Sequence, residues 1–395
     1  MPSESGGTRS YEFARRLSAA GYDVQIVTSD TRSNAPRGWR TEVVDGFTVH
    51  WLGVPYANKM SYFRRIVAFF SFALRSSKRA RSLRGDVIYA TSVPLTIVIP
   101  ALWAALFRRT PILFEVRDLW PEMPIAVGAL RNPILIFMAR LLELVAYRTA
   151  AHIIALSPGM RDGVLARGIP ADRVTVIPNG ADLDLFGGDG VKPKDWTDDC
   201  PGLVGKKLVV YCGTLGHLNG LSYLAETAAE LSHLRDDVAF LVVGNGKEDE
   251  IVQERAFELG VLGTSFYMMP AIPKVQVPAI YAAADIVTSV FLPIKEMEVN
   301  SANKFFDALA AGKPVAINYG GWQADIVNSS RIGVVLPASD TKKAALILSY
   351  LLDNPKELQQ MSKRSREVAE KEFDRDILSE RLLTVVEKLS KSKAS

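Results

Sequence analysis

Residues 285–317 read DIVTSVFLPIKEMEVNSANKFFDALAAGKPVAI, and this stretch decides the fold class. An apolar strand is predicted over 285–290, and a polar loop follows it. A helix is predicted over 302–311 and stops at Gly312, and a second apolar strand is predicted over 314–317. Two buried strands joined through a helix are typical of a parallel sheet in an α/β protein.

The same alternation of short apolar strands and longer helices fills the rest of the chain. Further strands are predicted over 23–29, 47–54, 86–90, 112–116, 152–156, 173–177, 207–212, 238–243, 266–268 and 333–336. Further helices are predicted over 8–20, 61–83, 94–108, 133–150, 158–166, 219–233, 247–259, 276–283 and 340–352. Repetition of this kind predicts Rossmann-like doubly wound sheets with helices on both faces.

Two such runs predict two domains. The first occupies residues 1–186, and a second occupies 207–354. A Gly-, Pro- and Asp-rich stretch over 187–206 is expected to link them. The charged segment 355–395 holds no further strand, and we expect it to be helical and to cross back to the N-terminal domain.

The first domain is expected to lack its first strand. A doubly wound domain begins with a buried strand that leads into a Gly-rich turn and a helix. Here Gly6 and Gly7 precede the helix at 8–20 with only a few residues before them. Either the fold lacks that strand or the recorded start lies downstream of the real one, and we favour the second explanation.

Composition indicates an ordinary globular protein. The chain has 395 residues, of which 48% are hydrophobic and 23% are charged, and this excludes a disordered or collagen-like chain. Cys200 and Cys212 are too few for a disulfide framework, and the four histidines are scattered, so no metal is expected. The first ten residues contain no apolar signal segment, which favours the cytoplasm.

The net charge of +4 combines a basic first half and an acidic second half. Residues 1–186 hold 23 Lys and Arg against 15 Asp and Glu, whereas the remainder holds 24 against 28. We therefore expect the first half to meet an anionic partner. The uncharged stretch 87–107 is long enough to span a bilayer, but Pro94 and Pro100 interrupt it, and a strand, a turn and a buried helix explain it better.

The segment 61–84 combines an aromatic-rich apolar run with seven basic residues and no acidic one. Its basic residues are Arg64, Arg65, Arg75, Lys78, Arg79, Arg81 and Arg84. An interfacial helix on anionic lipid is one interpretation. The other is a domain helix whose apolar side is core and whose basic end is solvated. Nucleic acid is a weaker third candidate because no recognised binding motif accompanies the charge.

Gly-rich turns follow two strands of the second half, at 212–220 and 243–247. Glycine lets backbone N–H groups approach a phosphate, and the helix behind adds a partial positive charge. Lys304 lies in the first turn of the helix at 302–311, and Asp307 follows on the same helix. These features together favour nucleotide binding.

At this point the chain resembles glycosyltransferase family 4, the retaining nucleotide-sugar enzymes with the GT-B fold. The resemblance runs through SGGTRSYEFARRLSAAGYDVQIVTS, FEVRDLWPE, IIALSPGM, VTVIPNGADLDLF, YCGTLGHLNGL, VVGNGKEDE and NSANKFFDALAAGKPV, and so covers nearly the whole chain. FEVRDLWPE and NSANKFFDALAAGKPV look most like the branch that builds O-antigen and capsule repeat units on a polyprenyl lipid. Members of that branch often transfer N-acetylated aminosugars such as fucosamine.

The resemblance implies two Rossmann-like domains that face each other across a cleft. It implies retaining transfer of a sugar from a nucleotide donor, with UDP as the expected nucleotide, to a polyprenyl-diphosphate-linked saccharide. Such an enzyme would need no cofactor and no metal, would bind no nucleic acid, and would sit peripherally on the anionic inner face of the plasma membrane. The residues that would contact the donor are Gly6, Gly7, Gly213, Thr214, Asn219, Gly220, Gly244, Asn245, Glu298, Asn300, Ser301, Asn303, Lys304 and Asp307.

The acceptor is expected at the N-terminal domain. Asp118 would act as a base or orient the acceptor hydroxyl, and Arg117 would bind phosphate or pair with Glu122. A structural Arg117–Asp118 pair is the alternative. The basic residues expected at the membrane or acceptor are Arg64, Arg65, Arg75, Lys78, Arg79 and Arg81.

Several positions depart from the family pattern. The family usually has two glutamates separated by seven residues. Asp307 matches the second, which binds the ribose, but Val299 stands where the first should be. The usual Arg and Lys of the first C-terminal loop are replaced at or near Thr214 and Asn219, so Lys304 would carry more of the phosphate charge. A nucleotide-sugar-binding protein without catalysis, or a GT-B enzyme that acts on a soluble acceptor, therefore remains an alternative.

Two further motifs carry little weight. The sequence Asp182-Leu183-Asp184 resembles a metal-binding DxD, but the family carries it at this junction without metal. His217 could donate to a phosphate, although a solvent-facing loop histidine is an equally good interpretation.

Overall fold

The computed structural model describes residues 9–32, 35–36, 38–56, 60–92, 94–106, 108–187, 191–195 and 198–394, without the side chains of Tyr62 and 392–394. The chain forms two compact units. The N-terminal unit contains Arg9–Pro178 together with residues 376–394, and the C-terminal unit is Asn179–Arg375. The chain therefore leaves the first unit after Pro178, ahead of the linker expected at 187–206.

The N-terminal unit has seven described strands and six helices before the crossover to the second unit. The strands are β1 (Gln25–Asp30), β2 (Trp39–Val44), β3 (Phe47–Gly53), β4 (Ile88–Thr91), β5 (Ile112–Val116), β6 (His152–Ala155) and β7 (Val174–Val176). The helices are α1 (Arg9–Ala19), α2 (Tyr62–Ser82), α3 (Val98–Ala105), α4 (Glu122–Ala126), α5 (Pro133–Thr149) and α6 (Pro158–Leu165).

These strands form two sheets, in the orders β1-β3-β2 and β4-β5-β6-β7. All pairs are parallel except β2 with β3. Within the described ranges no strand joins β1 to β4. Gly6 and Gly7, which the sequence placed after an expected first strand, lie outside the described residues.

The C-terminal unit is a single parallel sheet covered by helices. Its strands are β8 (Lys207–Cys212), β9 (Val238–Val243), β10 (Phe266–Met269), β11 (Ile286–Ser289), β12 (Val315–Ile317) and β13 (Gly333–Val335). Its helices are α7 (Leu183–Phe186), α8 (Ser222–Ser232), α9 (Asp249–Glu258), α10 (Val277–Ala283), α11 (Asn303–Ala310), α12 (Trp322–Ser330), α13 (Thr341–Leu352) and α14 (Pro355–Val368).

The strand order of this sheet is β10-β9-β8-β11-β12-β13. Leu241, Val210, Val287 and Val315 stand opposite one another across four neighbouring strands, and all four are buried. The order reverses between β8 and β11, and ligands of doubly wound sheets bind at the strand carboxyl ends beside such a switch point. The predicted stretch 285–317 supplies β11, α11 and β12, so it lies at this place in the sheet.

The last part of the chain returns to the N-terminal unit. A π-helical turn (Ala369–Phe373) follows α14, and α15 (Arg375–Ala394) comes after it. Leu378 and Leu382 of α15 pack in one core cluster with Phe13 and Leu17 of α1 and with Leu113 of β5. The charged tail is thus helical, as expected. Its last helix, α15, contributes to the core of the N-terminal unit.

The predicted strands and helices are confirmed in nearly every case, and α/β with parallel sheets is the observed fold class. β2, α4, α7 and α12 were not predicted. β2 is an edge strand with little burial, so its apolar pattern is weak, and α4 and α7 are only about one turn long. Residues 87–107 fold as β4, a turn and α3, and among the described helices none is long and apolar enough to cross a bilayer.

Candidate active site

The Gly-rich turns after β8 and β9 lie side by side at the carboxyl edge of the C-terminal sheet. Gly213 N–H donates to the carbonyl of Val243 at 2.9 Å, and Gly244 N–H donates to the carbonyl of Met269 at 3.0 Å. A Cβ at Gly244 would lie 1.8 Å from the carbonyl oxygen of Gly213. No side chain fits there, so this close approach of the two turns requires glycine.

Lys304, in the first turn of α11, points its ammonium at the same edge. Its Nζ lies 4.8 Å from the centre of the Tyr211 ring and 4.7 Å from that of Phe291. A Cβ at Gly213 would lie 3.2 Å from Lys304 Cε, so the first Gly-rich turn passes directly over the lysine. Among the described residues no carboxylate pairs with it, and burial lowers the pKa of Lys304 to about 7.

Asn219 connects this lysine to the first Gly-rich turn. With its amide oriented to satisfy both ends, Asn219 accepts from Lys304 Nζ at 3.0 Å and donates to the carbonyl of Thr214 at 2.8 Å. Gly220 follows with a left-handed φ of 55°, which ends the short helical turn beside Asn219. Asn219, predicted from its place in the loop, is therefore in direct contact with the predicted phosphate cation.

Asp307, the predicted ribose ligand, is one turn further along α11 and is almost completely buried. It forms an ion pair with Lys274, which lies on the loop between β10 and α10. The Lys274 ammonium also lies 4.9 Å from the centre of the Phe186 ring. Sequence reasoning did not identify Lys274. Only its place after a strand of the nucleotide-binding domain could have drawn attention to it.

The loop before α11 uses part of its polar groups internally. Ser301 is buried; its hydroxyl accepts from the backbone N–H of Asn179 at 3.1 Å. The carbonyl of Asn300 accepts from Trp322 Nε1 at 2.7 Å. Ser301 and the Asn300 carbonyl therefore hold the loop in place.

Other predicted donor contacts remain at the surface. Asn303 is the first residue of α11, and both it and Glu298 are exposed. Glu298 lies against Gly320 and Gly321, where a Cβ would approach its carboxyl group or backbone closely. Asn245 accepts from the backbone N–H of Ala271 through Oδ1 at 3.0 Å, so its amide ties two strand ends together.

Asp118 follows β5 at the carboxyl edge of the N-terminal sheet. Burial raises its pKa to about 6, and the neighbouring Arg117 opposes the shift. Arg117 donates its backbone N–H to Ser92 Oγ at 3.0 Å, and within the described part of the chain its guanidinium has no ion pair with Asp118. The structural-pair alternative is thus not observed.

The alternative in which Arg117 pairs with Glu122 is not observed. Glu122 instead pairs with Arg167 at 2.7 Å and with Arg140 at 3.6 Å. Arg167 Nε also lies 3.0 Å from the carboxylate of Glu143 on α5, which is 3% exposed. Burial raises the pKa of Glu143 to about 7 despite this arginine. Glu122 therefore belongs to a cluster that joins α4, α5 and the end of α6.

The basic residues of α2 are spread over both ends of a long helix. Arg64, Arg75, Lys78 and Arg81 are exposed. Arg79 donates to His50 Nδ1 at 2.8 Å and to Thr41 Oγ1 at 3.2 Å. Arg65 lies over the Tyr56 ring and Arg81 over the Trp103 ring. The basic residues thus do not form one free patch.

Two motifs that the sequence discounted have local roles. Asp182 accepts from the backbone N–H of Leu185 at 3.3 Å, which caps α7, and pairs with Arg375 at 2.8 Å. His217 Nδ1 lies 2.7 Å from Glu248 Oε1 on an exposed loop. Each side chain therefore has a structural partner within the C-terminal unit.

Comparison with known families assigns both units. Residues 6–180 match the family described as "Glycosyl transferase 4-like domain", and residues 201–368 match "Glycosyl transferases group 1". The chain belongs to the GT-B glycosyltransferases.

Individual relatives are distant. Spore coat protein SA of Bacillus subtilis is 23% identical over 253 residues, which cover 61% of this chain and 66% of the relative. The chain spans less than two thirds of the length of this relative and of the next two curated relatives.

Solved structures support the fold of this glycosyltransferase. Sucrose-phosphate synthase from Thermosynechococcus elongatus aligns with a TM-score of 0.78 at 17% identity. The alignment covers 98% of this chain and 94% of the synthase chain. HepE from Anabaena, in complex with UDP-glucose, aligns with a TM-score of 0.68 at 17% identity, over 92% of this chain and 99% of its own. At these identities the likeness establishes the fold.

Proposed function

We propose that this glycosyltransferase transfers a sugar, an N-acetylated aminosugar by its resemblance, from a UDP donor to a polyprenyl-diphosphate-linked saccharide with retention of anomeric configuration. The observation that supports the donor part of this proposal is the surroundings of Lys304. Its ammonium is held between two aromatic rings at the Gly-rich turns, with no carboxylate partner in the described residues. Lys304 is partly buried, and removing a cation from water is costly unless a ligand supplies the anion.

The donor diphosphate is the anion that fits this position. The N-terminus of α11 adds a partial positive charge beside Lys304, and the adjoining turns allow close approach of backbone N–H groups. Together they replace the Arg and Lys that the first loop of the family usually supplies. Stabilisation of the departing diphosphate would be the main catalytic contribution of this unit.

The nucleoside would lie towards Asp307. A carboxylate can accept two ribose hydroxyl hydrogen bonds, and Lys274 holds this one in a buried ion pair. UDP is proposed because HepE, a neighbour of the same fold, was solved with UDP-glucose. Among the predicted donor residues, Asn303 and Glu298 have exposed side chains, and these side chains would contact the sugar.

The acceptor would bind at Asp118 and Arg117 of the N-terminal unit. In the proposed reaction the bond between the anomeric carbon and the diphosphate oxygen breaks, and the acceptor oxygen forms the new bond on the same face. The acceptor proton passes to the departing phosphate oxygen. Asp118 orients the acceptor hydroxyl, and Arg117 binds the lipid diphosphate.

The first test is a screen of radiolabelled UDP-sugars with the full chain and a detergent-dispersed lipid extract from bacterial membranes. Transfer of label to lipid from at least one donor is expected. Tight nucleotide binding with no transfer from any donor would favour the binding-only alternative. Label in a water-soluble product alone would favour a soluble acceptor.

A second test separates the role of Lys304 from its structural contribution. Lys304→Ala should weaken nucleotide-sugar binding strongly, by ~100-fold if one charge-assisted phosphate contact is lost. Lys363→Ala is the matched control because Lys363 is exposed on α14 and far along the chain from the Gly-rich turns. Unchanged binding of Lys304→Ala would refute the assignment.

A further inference from the structure

Helix α2 carries its apolar stripe on the outside. Phe63, Ile66, Val67 and Phe70 recur at helical spacing, and all four are exposed. The side that α2 buries contains small residues, among them Ala73, whose neighbours Ser76 and Ser77 bond back to its carbonyl. The alternative in which the apolar side of this segment is core therefore does not hold for these four residues.

Helix α5 also has an exposed apolar side. The first half of α5 exposes five large apolar side chains, while its buried residues lie in the second half. The exposed ones are Ile134, Leu135, Phe137, Met138 and Leu141. Isolated exposed apolar side chains are ordinary, but two stripes in one unit indicate an interaction surface.

The two stripes lie near the same edge of the N-terminal sheet. The short 3₁₀ turn Leu95–Ile97 follows β4 at the carboxyl edge, and it contacts both α2 and α5. At the other end, Arg81 of α2 lies over Trp103 near the end of α3, and Thr149 at the end of α5 lines one groove with Trp103. Both helices therefore begin at the carboxyl edge, which is also the edge that bears Asp118.

The exposed charge beside both stripes is mainly positive. Residues 61–84 contain no acidic residue, and Arg64 is exposed among the apolar side chains of α2. Between Glu122 and Glu143 the charged residues are Arg131, which is exposed, and Arg140, which pairs with Glu122 at 3.6 Å. A symmetric contact with a second copy would bring the exposed Arg64 and Arg131 close to their own copies, whereas an anionic bilayer would neutralise them.

We propose that the exposed stripes of α2 and α5 form one docking surface that inserts into an anionic lipid bilayer. The docking surface is defined by Phe63, Ile66, Val67, Phe70, Ile134, Leu135, Phe137, Met138 and Leu141. This inference rests on the proposed function, because docking here presents the Asp118 edge to a lipid-linked acceptor. It also moves the main membrane contact away from Arg79 and Arg81, whose guanidinium groups have partners within the unit.

Vesicle flotation of the full chain tests the docking surface. Wild type should float with vesicles that contain phosphatidylglycerol and should bind poorly to pure phosphatidylcholine. Phe137→Ser/Met138→Ser and Phe63→Ser/Phe70→Ser should each lower the partition coefficient at least about tenfold, because apolar insertion and charge attraction act together. Val43→Ser is the control, since Val43 is equally exposed on β2 of the same unit and should leave flotation unchanged.

A labelling experiment does not depend on the stability of these double variants. Phe137→Cys carrying a polarity-sensitive fluorophore should shift to shorter wavelength on addition of the anionic vesicles, whereas labelled Val43→Cys should not. Equal flotation of wild type and both double variants, or no shift at position 137, would overturn the proposal. Dimerisation in sedimentation that Phe137→Ser/Met138→Ser abolishes, without flotation of the wild type, would also overturn it in favour of a second copy.

The two proposals fail separately. Transfer in detergent measures the proposed function without a bilayer, and the double variants should retain it there because the docking surface lies outside the donor site. If the wild type floats with the vesicles but shows no transfer in detergent, the lipid acceptor is refuted and the docking surface is still supported.

Discussion

Lys274 and Asp307 form a buried ion pair that ties the loop after β10 to α11. The side chains are 13% and 8% exposed, so water screens the pair only weakly. Asp307 is the carboxylate proposed to bind the ribose, and it is therefore oriented before any nucleotide arrives. Lys274 acts on the nucleotide through Asp307, as a positioning residue.

Lys274→Met should raise the KM for the donor by ~10-fold and change kcat little, because the carboxylate loses its orientation in ground state and transition state alike. The measurement is initial rates against donor concentration at pH 6 and pH 8. Lys274→Arg should recover most of the affinity, since it restores the ion pair. Adding Asp307→Asn to Lys274→Met should cost little more if Lys274 acts through Asp307, and an additive loss would contradict that role.

Donor affinity should depend on the protonation of Lys304. Because burial lowers its pKa to about 7, the free protein carries a neutral amine above that pH, and diphosphate binding must then take up a proton. The Kd for the nucleotide sugar should stay level at acid pH and rise about tenfold per pH unit above 7. Calorimetry in buffers of different ionisation enthalpy measures the proton uptake. Lys304→Met should bind weakly with a flat pH profile, and a parallel pH dependence in that variant would contradict the assignment.

The transfer rate should follow the ionisation of Asp118. Its raised pKa of about 6 means that the carboxylate predominates only above that pH. We expect kcat/KM for the acceptor to increase about tenfold per pH unit up to 6 and then to level off. Asp118→Asn should be slower by about 10²-fold, because the acceptor hydroxyl loses its orientation, and should lose this pH dependence.

The stability of Asp118→Asn provides the control. A carboxyl whose pKa is raised in the fold loses stabilising free energy as the pH climbs from its unfolded value through 6. The variant should therefore match the wild type in Tm near pH 3.5 and exceed it near pH 7.5. A lower Tm at pH 7.5 would show that Asp118 is a structural residue.

Gly244→Ala should disrupt the donor edge. Its Cβ would overlap the carbonyl of Gly213, so one Gly-rich turn must move away from the other. We expect loss of nucleotide binding together with a destabilisation of at least ~2 kcal/mol. Gly260→Ala is the matched control: its φ of 70° is also left-handed, but a Cβ there meets nothing within 4 Å. Its cost should stay near 1 kcal/mol with normal nucleotide binding.

Arg167→Met should destabilise the N-terminal unit in a pH-dependent manner. It would leave the buried carboxylate of Glu143 and the half-buried one of Glu122 without their shared cation. The loss should be ~3 kcal/mol at pH 8 and smaller at pH 5, because burial raises the pKa of Glu143 to about 7 and its carboxyl is then protonated. Urea unfolding at both pH values measures it. Glu143→Gln in the same chain should restore part of the stability, and Arg161→Met should change it little, because the Arg161–Asp162 pair is exposed.

The sequence was sufficient wherever a property depends on neighbours along the chain. The period of apolar residues located β11, α11 and β12, and hence the place of Lys304 and Asp307. The Lys274–Asp307 pair could not be found in this way, because 33 residues separate the partners and their meeting depends on the shape of a loop. The same limit applies to the partner of Glu122, since Arg167 approaches it from beyond the end of α6, 45 residues along the chain.

Periodicity also leaves the direction of a stripe undetermined. The spacing of Phe63, Ile66 and Phe70 shows that one side of α2 is apolar, but the same spacing fits a core-facing or a solvent-facing stripe. Small residues such as Ala73, Ser76 and Ser77 on the opposite side permit close packing against α3. They are the sequence signal that points the stripe outward.

Helix α15 packs in the core of the N-terminal unit, against helix α1. Leu378 and Leu382 pack with Phe13 and Leu17, although more than 350 residues separate them. During synthesis the whole C-terminal unit therefore leaves the ribosome before this part of the N-terminal core can close. Ribosome-bound chains should expose Phe13 and Leu17 until α15 emerges, and chaperones that hold nascent apolar segments have that interval in which to act.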